Sequence, residues 1–172
     1  DVLDPARDSW AWSVYATATD VYVAGYTSDA TKKLPCLWDD GTRTDLSVLT
    51  QSGEAKAVYY DGGGASLYLA GYSDGILAKV PAFWKDGLRQ DLSVLDANGN
   101  GEAWGVFATG SDVWVAGFTT SSSGKKTPAL WYNLVRSDLK TKVTGGIGEA
   151  SSVAVSGGDV VVAGYSNNSS GV

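Results

Sequence analysis

The chain is built from a repeat of about 46 residues, and that period constrains its fold more than any other feature. Val21-Tyr22-Val23-Ala24-Gly25-Tyr26 returns as Leu67-Tyr68-Leu69-Ala70-Gly71-Tyr72, as Val113-Trp114-Val115-Ala116-Gly117-Phe118 and as Val160-Val161-Val162-Ala163-Gly164-Tyr165. The shared glycines are 46, 46 and 47 residues apart. Pro35-Cys36-Leu37-Trp38 recurs as Pro81-Ala82-Phe83-Trp84 and Pro128-Ala129-Leu130-Trp131, and Asp45-Leu46 as Asp91-Leu92 and Asp138-Leu139. Gly53-Glu54-Ala55 recurs as Gly101-Glu102-Ala103 and Gly148-Glu149-Ala150. A repeat of this size is one supersecondary unit that must stack on its neighbours to bury an apolar face.

Within a repeat the pattern predicts four short strands. In the second they fall at about 57–60, 67–72, 82–85 and 89–95. Asp61-Gly62-Gly63-Gly64 turns the chain between the first two, and Asp86-Gly87, a dipeptide suited to tight hairpins, between the last two. Asp40-Gly41 makes the same turn in the first repeat, whereas Asn133-Leu134 loses the signal in the third. The second strand of each repeat is apolar on both faces, as a strand covered on both faces should be. The small Ala24-Gly25 pair and its counterparts suit crowding toward an axis.

These features predict an all-β fold, a β-propeller of four-stranded blades, with a β-trefoil-like arrangement as the alternative. One propeller segment would span 1–172, with repeats at about 8–52, 53–100 and 101–147 and a partial one at 148–172. Val2-Leu3-Asp4 aligns with the end of a fourth strand. A half-blade would leave about 500 Å² of apolar surface bare, worth about 12 kcal/mol. With no methionine anywhere, the segment is expected to be an excerpt of a longer chain, or one whose copies associate to complete a ring.

The motifs Asp20 to Tyr26, Leu37-Trp38-Asp39-Asp40-Gly41 and Asp45-Leu46 resemble the propeller repeats of many secreted or surface bacterial proteins of unknown function. In size, strand number and tryptophan placement the repeat is also similar to kelch-type and tectonin-type blades. The resemblance covers essentially the whole chain and implies a fold and an extracellular or cell-surface setting. It implies no activity, because propellers host many. The aspartate boxes of sialidases and the Trp-Asp ending of WD repeats are missing, so neither family's role carries over.

Composition removes several chemistries. There is no histidine, hence no Ser-His-Asp or Cys-His nucleophile system and no histidine zinc site. The single cysteine, Cys36, forms no internal disulfide or thiolate cluster, and at a small-residue position it reads as a buried, inert thiol. A net charge of −6 with no basic stripe argues against nucleic acid, and no apolar run is long enough to span a bilayer. No metal or cofactor is expected.

The expected function is therefore a non-enzymatic binding or scaffold module that holds a protein or an extracellular polymer. A lectin is the alternative within binding, and a glycoside hydrolase or lyase using carboxylates alone is the alternative in another class. The hydrolase would need two acids about 5–10 Å apart, and no unique pair stands out from the repeat.

Candidate binding residues gather on the face that carries the connections between repeats and the loops between second and third strands. Glu54, Glu102 and Glu149 would form an arc of carboxylates on those connections, open to a cation or sugar hydroxyls, or else stapling neighbouring backbone. Trp10 takes the same position in the first repeat. The loops at 27–34, 73–80 and 119–127 bring Lys33, Lys79 and Lys126, for an acidic centre inside a basic rim. Trp38, Trp84 and Trp131 are locked to the repeat and read as core. Trp10 and Trp114 depart from their counterparts and read as exposed contacts. Asp45, Asp91 and Asp138 read as strand-edge acceptors.

Overall fold

The computed structural model describes Ala6 and residues 8–167, so the strand end expected at 2–4 lies outside the described residues. The described chain has fourteen strands and no helix. The first sheet holds β1 (Ser9–Ala16), β2 (Val21–Ser28), β3 (Lys33–Asp39) and β4 (Thr42–Asp45). The second holds β5 (Gly53–Asp61), β6 (Ser66–Asp74), β7 (Lys79–Lys85) and β8 (Leu88–Asp91). The third holds β9 (Gly101–Thr109), β10 (Asp112–Thr120), β11 (Lys126–Tyr132) and β12 (Val135–Asp138). The fourth is the hairpin of β13 (Ile147–Ser156) and β14 (Asp159–Asn167).

Each sheet is one repeat of the sequence, an antiparallel meander in chain order. No pairing crosses between repeats among the described residues, whereas the barrel of a trefoil is built from hairpins of different repeats.

The fourth strand is shorter than the sequence predicts, ending at Asp91 rather than near residue 95. Proline has no N–H to continue a ladder. The last pair is Ala82 with Asp91, and beyond it Leu92 N donates to Pro81 O at 2.9 Å before the chain turns away. Leu46 with Pro35 and Leu139 with Pro128 repeat the bond, at 2.8 Å each.

The first strand is longer than predicted, and the Gly-Glu-Ala triplets lie inside it rather than on the connection before it. A β-bulge hid this. Ala55 pairs with Gly71 and Ala57 with Ala70, which leaves Lys56 as the extra residue. Trp12, Trp104 and Ser151 are the extra residues at the same bulge in the other sheets.

The bulge also explains the recurrent glycine. A Cβ on Gly25, Gly71, Gly117 or Gly164 would lie 1.9–2.1 Å from the carbonyl oxygen of Trp10, Glu54, Glu102 or Glu149. The crowding comes from the bulged strand of the same sheet, not from an axis.

The tight turn survives where its sequence signal is lost. Asp40 and Gly41 have φ of 45° and 82°, Asp86 and Gly87 have 49° and 79°, and Asn133 and Leu134 have 46° and 70°. The first residue of each turn accepts a bond through its Oδ1, from Val21 N, Leu67 N or Val113 N at 2.8–2.9 Å. That side-chain bond needs Asp or Asn, which tolerate positive φ, and it carries the turn through Leu134.

The core lies between sheets. Leu46, Val58, Leu69 and Trp84 pack where the first sheet meets the second, and Tyr68, Phe83, Val106 and Trp131 where the second meets the third. Trp84 Nε1 donates to Ser47 O at 3.0 Å and Trp131 Nε1 to Ser93 O at 2.9 Å, so each indole reaches the connection that leaves the preceding sheet. Truncating such a buried indole costs about 3–5 kcal/mol.

Candidate functional site

One end of the sheets gathers the loops between second and third strands and the connections between repeats. Two bonds from backbone to side chain fasten them: Lys33 N donates to Ser52 Oγ at 3.0 Å, and Lys79 N to Asn100 Oδ1 at 2.9 Å. Bulged first strands aim their side chains toward this end, a common use of a bulge beside a working surface.

The glutamates and lysines expected to form an acidic centre and a basic rim are instead paired. Lys33 Nζ donates to Glu54 Oε1 at 2.8 Å and Lys79 Nζ to Glu102 Oε1 at 2.6 Å, and Lys126 pairs with Glu149. Each lysine opens the third strand of one sheet, and each glutamate lies near the start of the next. Every pair therefore ties one repeat to its successor.

Each ammonium also sits over an aromatic ring of its own sheet: Lys33 over Tyr26 at 4.4 Å, Lys79 over Tyr72 at 4.0 Å and Lys126 over Phe118 at 4.5 Å. The pairs cancel charge locally. The expected staple is present, but its donors are lysine side chains rather than neighbouring backbone.

Glu54 has the fullest surroundings. It is 4% exposed and accepts from Lys33 Nζ, from Tyr72 OH at 2.9 Å, from Trp12 Nε1 at 3.1 Å and from Lys56 Nζ at 2.5 Å. Burial pushes its carboxyl up, but the Lys33, Lys56 and Tyr72 bonds outweigh that and hold it at about 2. Burial and the Glu54 charge push the Tyr72 phenol well up. The bond to Glu54 raises Lys33.

Lys56 sits in an aromatic cage at the bulge. Its Nζ lies 3.6 Å from the Trp12 centroid, 4.8 Å from Trp104 and 5.9 Å from Tyr72. Three successive sheets supply those rings, so the cage is occupied by the chain's own cation. In the repeat, Lys56 stands where the first and third copies have Trp12 and Trp104, and that break in the pattern marks the cage in the sequence.

Trp10 reaches the same end, 53% exposed, with its ring 5.6 Å from Trp12. Trp114 does not. It lies toward the other end, partly buried between Phe107 and Tyr132 at 6.1 and 5.2 Å. It packs on the core between the third and fourth sheets rather than standing out as a contact.

Two strongly exposed aliphatic side chains stand on the loop after β6. Ile76 is 92% exposed and Leu77 76%, and Gly75 N donates to Ala78 O at 2.8 Å to close the loop beneath them. A shallow pocket of about 230 Å³ lies beside them, lined also by Leu49, Val80 and Val94. The corresponding loops of the first and third repeats are polar. An Ile-Leu pair between turn residues was the signal to read.

The recurrent aspartates are ion-paired on their own strands, Asp45 with Arg43 at 2.9 Å, and Asp91 with Arg89 and Asp138 with Arg136. Burial pushes the Cys36 thiol up to about 12. Among the described residues no group of three or more His, Cys, Asp and Glu side chains is placed to hold a metal ion, and no helix is long and apolar enough to cross a membrane. No family model matches the chain, and neither does any curated protein.

Proposed function

We propose that the four sheets are successive blades of a β-propeller arc, and that the arc is a non-enzymatic binding module for a protein partner. The packing supports the arc. First strands β1, β5, β9 and β13 stand against one another in chain order, while β4, β8 and β12 make their main contacts within their own sheets. First strands inside and fourth strands outside is what radial stacking requires. Stacking is what buries these faces: Val58 and Val106, each covered by a neighbouring sheet, are 6% and 8% exposed, whereas their counterpart Val14 on the first sheet is 65% exposed.

The exposed Ile76–Leu77 tip carries the functional reading. Aliphatic side chains held out on a closed loop beside an apolar pocket gain free energy when a protein partner covers them. Polysaccharides stack on aromatic rings instead, and the ring pair available for that is Trp10 with Trp12. Glu54, its carboxyl held at about 2, stays ionised near neutral pH and is a poor general acid, which argues against hydrolysis at that residue.

The test starts with a protein captured by the wild-type chain, then purified and titrated directly. Ile76→Ser/Leu77→Ser is expected to weaken that complex about a hundredfold, from about 1.5 kcal/mol or more per buried side chain, with an unchanged melting temperature. Equal affinity for the double variant, or saturable binding on a glycan array abolished by Trp10→Ala, would overturn the reading.

A further inference from the structure

Tyr132 ends the third strand of the third sheet, at the turn into β12, and is 45% exposed. Its counterparts Asp39 and Lys85 are exposed as well, so this place faces solvent in each of the four-stranded sheets. A tyrosine here departs from the repeat, and two neighbours come with it. Its ring lies 5.2 Å from that of Trp114, and its phenol donates to Asp112 Oδ1 at 2.8 Å. Asn133 Nδ2 donates to the same oxygen at 3.0 Å and fixes the carboxylate in place.

That arrangement suits the loss of one electron. A neutral phenol is hard to oxidise unless its proton leaves with the electron, and a carboxylate within hydrogen-bond reach is placed to take it. Bonds from Asn133 and Tyr132 hold the Asp112 carboxyl below its usual range, so it is ionised near neutral pH and can accept. The bond to Asp112 raises the Tyr132 phenol, which therefore keeps its proton until it is oxidised. The Trp114 indole offers a second route, since an electron lost from it is replaced from a neighbouring phenol that can shed its proton.

We propose that Tyr132 is an oxidative cross-linking site, joined by peroxidase chemistry to Tyr132 of a second copy as dityrosine. Each phenol gives one electron to the peroxidase and one proton to its Asp112, which leaves two phenoxyl radicals. Ring carbons ortho to the two oxygens form a C–C bond, and the hydrogens on those carbons move to the oxygens. Hydrogen peroxide takes up the two electrons and the two protons and leaves as two waters. The coupling partner is a second copy because, among the described residues, the ring beside Tyr132 is an indole and not a phenol.

The full chain treated with a haem peroxidase and hydrogen peroxide at neutral pH is the test. A covalent dimer with dityrosine fluorescence is expected, with the cross-linked peptides mapping to Tyr132. Tyr132→Phe keeps a ring against Trp114 and should abolish the dimer without changing the melting temperature. Asp112→Asn still accepts the phenol's bond but takes no proton, and should slow cross-linking about tenfold or more. With a photo-oxidised ruthenium complex as oxidant, that gap should close above about pH 10, where a phenol ionises unaided. A merely structural Asp112 would leave the gap open. No dimer, a dimer that persists in Tyr132→Phe or maps to the exposed Tyr165, equal rates for Asp112→Asn at neutral pH, or a gap that stays open in alkali would overturn the proposal.

Discussion

Lys56 Nζ lies 3.6 Å from the centre of the Trp12 ring, which puts a cation of the second sheet against an indole of the first. The same ammonium faces Trp104 of the third sheet and bonds to Glu54, so one side chain links three repeats. It stands at the bulge, the one place in the first strand where a side chain is freed from the ladder to reach sideways.

This linkage sets the cost of changing it. Lys56→Met keeps the methylenes in the cage but removes a buried partner of Glu54, and should cost about 1–3 kcal/mol in urea unfolding. Adding Glu54→Leu removes the carboxylate that has lost this partner, so the two changes together should cost less than the sum of the two made singly, because the Lys56–Glu54 contact is then counted once. A double variant less stable than the sum of the two single effects would contradict this account of the cage.

Acid should weaken the fold through Glu54. Its carboxyl is held at about 2 in the folded chain against an ordinary 4.5. A depressed carboxyl contributes stability that is full above the ordinary value and is lost as pH falls from about 4.5 to about 2, by up to about 3 kcal/mol. Unfolding free energies measured across that window should fall for the wild type and stay flatter for Glu54→Gln. Parallel curves would contradict the assignment.

Leu134 has φ of 70°, where its counterparts are Gly41 and Gly87. An L side chain there is strained by about 1–2 kcal/mol, and glycine returns part of that as unfolded-state entropy. Leu134→Gly should therefore stabilise the chain by about 0.5–1 kcal/mol. Thermal melting checks it, with a rise of a few degrees expected.

Much of the fold was legible in the sequence. Repeat spacing marks the sheets, and Val21 to Tyr26 with its copies marks each second strand. The first strand was misread because Lys56 and its counterparts interrupt the alternation, and alternation is the signal by which strands are found. The short fourth strand turned on Pro81, whose missing N–H stops a ladder that periodicity alone extends. At the site, recurrence located Glu54, Glu102 and Glu149 and the loop lysines. It did not reveal that each pair meets across a sheet boundary, since Lys33 and Glu54 are 21 residues apart with nothing local to join them. Ile76 and Leu77 escaped notice because they break the repeat instead of keeping it.

These acids and bases hold the repeats together, and a double-mutant cycle on Lys79 and Glu102 tests this most directly. The pair joins the second sheet to the third, with the lysine side chain 38% exposed and the glutamate 13%. At that exposure solvent screens the contact, so a coupling of about 0.5–1 kcal/mol is expected from Lys79→Met, Glu102→Gln and the double variant. Zero coupling, with both single variants as stable as the wild type, would mean that the glutamates are not needed for the fold, and the carboxylate arc would again be a candidate ligand site.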